Sequence, residues 1–137
     1  MKRLLIILFF SILLSQEGNS AYLRLELENT IKDINARQFD SAILRVDNTN
    51  FSDSEYLDHS LILKMKALHG INDIDQSLSV AKQINKNELN ANLQTIYSLE
   101  LGDIFSEMGL FDKSFEHYLA ARKSNIDTKA NKRINQR

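Results

Sequence analysis

At 137 residues the chain has room for one domain, and 43% apolar with 26% charged residues groups it with soluble globular proteins rather than disordered ones. A formal net charge of −1 gives no global electrostatic case for binding nucleic acid. Cysteine and proline are absent and glycine numbers only 4, which excludes disulfides, thiolate metal sites and a cysteine nucleophile, and favours helices joined by Asn/Asp/Ser turns over an all-β fold.

The first segment is of a different kind. Lys2 and Arg3 precede an apolar run over 4–14 that only Ser11 interrupts. Such a run falls short of the roughly 20 residues a membrane-spanning helix needs, and fits the ~7–15 residue hydrophobic region of a secretory signal. Gly18 and Ser20 supply the small residues of a cleavage site. Residues 1–20 are therefore expected to be a signal peptide, and the protein to be exported, periplasmic or secreted. Retention by an uncleaved N-terminal membrane anchor is the alternative.

From residue 22 onward apolar residues recur at helical spacing. Leu23, Leu27, Ile31 and Ile34 predict a first helix, with a turn over 36–38, and Ala42, Ile43 and Val46 a second. Tyr56, Leu57, Leu61, Ile62, Met65 and Leu68 predict the third, and Leu78, Ala81 and Ile84 the fourth. Leu93, Ile96, Tyr97, Leu101, Ile104, Phe105 and Met108 mark the fifth, and Phe115, Tyr118, Leu119 and Ala121 the sixth, with Gly109 between them. One apolar–Asp–x–small–apolar word opens the second member of each pair: FDSAI at 39–43, IDQSL at 74–78 and FDKSF at 111–115, spaced by 35 and 37 residues. In it the first apolar residue is expected to staple the helix start, the aspartate to cap it, the small residue to allow close helix approach and the last residue to enter the core. Phe111 and Phe115 are thereby expected to be structural. A helix pair repeated at this period buries its apolar face only by stacking on its neighbours.

These residues resemble the tetratricopeptide repeat (TPR) family. Leu101, Gly102, Phe105, Gly109, Phe111, Ser114, Tyr118 and Ala121 stand where its 34-residue unit prefers such residue types. Leu61, Leu68, Ile74, Ser77 and Ala81 match in the middle repeat, and Phe39, Ala42 and Val46 in the first, whose first helix is displaced by one residue. The unit's usual closing proline is missing throughout, with Ser54, Leu89 and Ile126 in its place. The resemblance implies an all-α, right-handed α-solenoid of three helix-turn-helix hairpins, with repeats at about 23–56, 58–91 and 95–128 after the signal peptide, and a basic cap or tail at 129–137. It further implies a concave groove lined by His59, Ile62, Lys66 and His69 on the middle repeat and by Ile96, Leu99, Asp103 and Ser106 on the last. Leu27 and Ile31 take the equivalent first-repeat places, so the clamp that some members use for a C-terminal carboxylate is missing.

No catalytic constellation accompanies the repeat. His59, His69 and His117 lack the i, i+4 pairing of a helical zinc site, and no nucleophile elbow or phosphate-binding glycine loop occurs. Glu100, Asp103 and Glu107 form one acidic stripe, which reads as a solvated helix face. From 22 to 121 there are 9 basic and 16 acidic residues, against 6 basic and 1 acidic from 122 to 137. Asp127 or Thr128 offers the start of one more short helix. The basic end suits a solvating cap, or an arm for an acidic partner or membrane surface. The expected function is that of a non-enzymatic scaffold without metal or cofactor, binding a protein or peptide partner in the cell envelope. The alternative is the input module of a larger envelope signalling protein.

Overall fold

The computed structural model describes the backbone of residues 2–52 and 54–135 and the side chains of 18–52, 54–126 and 129. Among these residues the chain is all-helical, with six helices and no strand: α1 (Lys2–Asn35), α2 (Phe39–Asn48), α3 (Leu57–Gly70), α4 (Ile74–Ala81), α5 (Ala91–Glu107) and α6 (Phe111–Asn135). Consecutive helices pack as pairs, α1 with α2, α3 with α4 and α5 with α6. Helix α3 also touches both helices of the first pair, and α5 touches α3. Among the described residues no helix is long and apolar enough to cross a membrane.

Two boundaries differ from the sequence expectation. Helix α1 runs unbroken through Ser20 and Ala21, so the expected cleavage point is not a structural break; the side chains of the apolar run lie outside the described residues. Helix α6 likewise passes through Asp127 and Thr128 without restarting. No glycine or proline stands between Phe111 and Asn135, and Ala, Lys and Arg are good helix formers, so nothing ends the helix there.

The repeated word does open α2, α4 and α6, with Phe39, Ile74 and Phe111 as first residues. Two residues earlier each pair turns on a left-handed residue: Arg37 at φ 58°, Asn72 at 64° and Gly109 at 72°. Each turn closes with the same two backbone bonds. Gln38, Asp73 and Leu110 donate to Asp33, Leu68 and Phe105, while Arg37, Asn72 and Gly109 donate to Ile34, His69 and Ser106. These bonds occupy carbonyls that the helix end would otherwise leave free. The aspartates of the word are not caps. Asp40, Asp75 and Asp112 lie inside the first turn, where they act on the helix dipole, and Asp73 caps α4 by accepting from the Gln76 amide at 3.1 Å.

The small residue of each word is buried: Ala42, Ser77 and Ser114. Ser77 Oγ donates to the Met65 carbonyl and Ser114 Oγ to the Gly102 carbonyl, each at 2.8 Å, tying the second helix of a pair to the first. Ala42 shows that the same site accepts a methyl group. Ser77→Ala is therefore expected to lower stability by only about 1 kcal/mol, the value of one buried hydrogen bond, in urea unfolding monitored by circular dichroism. The first pair uses charge instead: Arg45 on α2 reaches Asp33 at 3.0 Å and Glu26 at 3.1 Å, both on α1.

Helix α3 divides the core. Its Leu63 and Ala67 join Leu23, Leu27, Ile34, Ala42, Val46 and Phe51 of the first pair and its loop. Its Ile62, Met65 and Leu68 join Val80, Ala81, Ile84, Leu89, Tyr97, Leu101 and Ile104. The flanking residues of the word diverge from one copy to the next. Phe39, Ile43, Ile74 and Leu78 are half-buried against these clusters, whereas Phe111 is 69% and Phe115 63% exposed. The expectation that Phe111 and Phe115 hold the last pair together is thus corrected. Their counterparts pack against a following pair, as Phe39 does by laying its ring on Gly70, within 2.6 Å of where a β-carbon would stand.

Candidate functional site

A surface cleft of about 380 Å³ opens where the α1–α2 turn, the end of α3 and the C-terminal half of α5 meet. Phe39 and Gly70 line it; the bare glycine lets the Phe39 ring lie against α3. Lys66 and His69 reach it from α3, and Glu100, Asp103 and Glu107 from α5. Arg37 completes it from the turn, in a left-handed conformation that costs a β-carbon-bearing residue about 1 kcal/mol.

His69 is the hinge of this arrangement. Its Nδ1 lies 2.6 Å from a Glu100 carboxylate oxygen and its Nε2 3.1 Å from one of Glu107. Burial by itself lowers the His69 pKa, but hydrogen bonds to the two carboxylates and their charge outweigh it, and the pKa is raised above 6.5. The imidazolium form donates from both nitrogens at once. Glu100 is only 6% exposed, so the acidic stripe read as solvated is in fact partly internal. Asp103 is engaged too, accepting from the Tyr118 hydroxyl at 2.6 Å. Every carboxylate in the cleft therefore has a partner. Arg37 and Lys66 are exposed, and among the described residues neither forms an ion pair.

The sequence-predicted groove residues separate in space. Lys66, His69 and Asp103 line the cleft together. Ile62 is 0% exposed in the core beneath and cannot meet a partner, which corrects its assignment to the groove. Its helix is covered on two sides, so its apolar arc is wider than a one-faced reading of the spacing allows. His59 is half-buried about two turns before Lys66 on α3 and does not line the cleft; desolvation lowers its pKa. Ile96 and Ser106 are half-buried and Leu99 is exposed, and none of the three lines the cleft. Arg37, Glu100 and Glu107 were not predicted as site residues. Glu100 and Glu107 were recognised as one stripe, but their partner sits on another helix, at a distance in sequence that no periodicity encodes.

A second, more apolar cleft of about 330 Å³ lies between α4 and the α5–α6 pair, lined by Leu78, Tyr97, Phe105 and His117 among others. Among the described residues no group of three or more His, Asp or Glu is arranged to hold a metal ion. Comparison with protein-family models, with curated proteins and with solved structures finds no match to the chain.

Proposed function

We propose that the protein is a non-catalytic scaffold that binds a protein or peptide partner through the α1–α3–α5 cleft. On this reading the three helix pairs stack as a right-handed, TPR-like solenoid, and the chain works outside the cytoplasm after export by residues 1–20. The reading rests above all on one observation: two cations, Arg37 and Lys66, stand without ion-pair partners among the described residues, beside carboxylates that already have theirs. Arg37 adds weight, because a left-handed arginine is a local cost that a glycine would remove. The common start and closure of all three pairs support the repeat.

The test is capture of partners by tagged protein from its own envelope fraction, read by quantitative mass spectrometry. Lys66→Glu is expected to reduce the captured partner by about tenfold, the equivalent of about 1.4 kcal/mol, with thermal unfolding unchanged. Equal capture by both forms would place the binding surface elsewhere. Recovery of the protein only from the cytoplasm with residues 1–20 intact would remove the export part of the reading.

A further inference from the structure

Helix α6 carries two faces. Ser114 and Ala121 are buried and Ser124 half-buried toward α5. On a neighbouring face Phe111, Phe115, Leu119 and Ile126 are 69%, 63%, 46% and 56% exposed, with Tyr118 beside them. Their i, i+4, i+8 and i+15 spacing sets them along one face about 22 Å long, which Arg122 at i+11 interrupts between Leu119 and Ile126. Exposed apolar side chains scattered singly need no explanation, but an aligned stripe of this length does.

We propose that this stripe is a homodimer interface, formed by α6 of two copies packing antiparallel across a two-fold axis near Leu119. The charges flanking it select that partner. Asp112 and Glu116 lie toward the Phe111 end, while Arg122, Lys123 and Lys129 lie toward the Ile126 end. Lys113, the basic residue at the acidic end, is turned back over the Phe105 ring of its own α5 at 5.6 Å. Among the described residues none of these flanking acids and bases makes an ion pair. An antiparallel two-fold sets the acidic end of each copy against the basic end of the other, brings Phe111 near the second copy's Ile126, and opposes the two helix dipoles favourably. A parallel arrangement would set like charges together. Covering the five apolar side chains on both copies removes roughly 1,000 Å², the lower range for a specific interface, so the dimer is weak and reversible.

The chain has no cysteine, which makes position-specific cross-linking clean. Leu119→Cys is expected to give a disulfide-linked dimer on mild oxidation of the full chain. Leu44→Cys, more exposed than Leu119 but on α2, is expected to give none. Phe115→Cys is also expected to give little, because antiparallel helices centred on Leu119 hold the two positions about 12 Å apart along the axis. Arg122→Glu is expected to cut Leu119→Cys cross-linking about tenfold, and adding Glu116→Arg to the same chain to restore it. Circular dichroism should be unchanged throughout, since every substituted side chain is on the surface. Equal linking at Leu119 and Leu44, linking at both Leu119 and Phe115, or failure of the double charge reversal to restore it would each overturn the proposal. So would a monomer that binds anionic vesicles through the stripe, which would make α6 a membrane-surface helix.

Discussion

Ile62→Ala is expected to destabilise the fold by about 2–5 kcal/mol, the range for deleting a large aliphatic side chain from a close-packed interior. The side chain is fully buried, among Met65, Leu68, Leu101 and Ile104, on the helix that faces both neighbouring pairs. Collapse around the missing atoms would have to move α3 against the first pair and α5 at once, so relaxation is limited and the upper half of that range is expected. Lys66→Glu, about one turn further along the same helix, is expected to change stability by no more than about 0.5 kcal/mol, because the side chain is exposed and forms no ion pair among the described residues. Urea unfolding of both variants separates the two roles directly. Near-equal stability of Ile62→Ala and the parent would mean that α3 is not the shared wall of the core.

The contrast between those two residues also marks what the sequence could convey. Ile62 and Lys66 share a spacing pattern, and the resemblance to a repeat family put both in one groove. Periodicity identifies a face of a helix, but not how many neighbours the helix will have, and a helix gripped from two sides buries residues that a one-sided helix would present. The same limit explains Phe111 and Phe115. Their word is the same as those beginning at Phe39 and Ile74, and it starts a helix in the same way, because helix starts are set by local chemistry. Burial of its apolar residues is set by what packs against them, and there the copies differ. Local devices were therefore legible: the six helices in order, the turn over 36–38 and the break at Gly109. Asn72 and Arg37 as left-handed residues were less so, since the fold, not the residue type, imposes that conformation on an arginine. Of the cleft, Lys66, His69 and Asp103 were legible, and the ion pairing that organises it was not.

That pairing carries the second large effect. His69→Ala is expected to cost about 3 kcal/mol, because it leaves the Glu100 carboxylate buried without its imidazole partner. Most of this belongs to Glu100, since the Glu107 side chain is 59% exposed and its pair is weakened by solvent. His69→Gln keeps an amide donor toward Glu100 and is expected to lose less. The effect depends on pH with a defined sign. A histidine whose folded-state pKa is raised binds its proton more tightly when folded, so its stabilisation is complete below the ordinary value of 6.5 and is lost as pH climbs through the raised one. The other charged groups that face the ring across the cleft are Arg37, Lys66 and Asp103. His59 and His117 run the other way, because burial lowers their pKa values and their proton uptake opposes folding as pH falls. The wild-type curve thus mixes opposing contributions. The difference between wild type and His69→Gln isolates one of them, and it should be largest on the acid side of 6.5 and shrink above it. A difference that stayed flat with pH would mean a neutral ring between the two glutamates, able to donate to only one of them, at odds with contacts of 2.6 and 3.1 Å from both nitrogens.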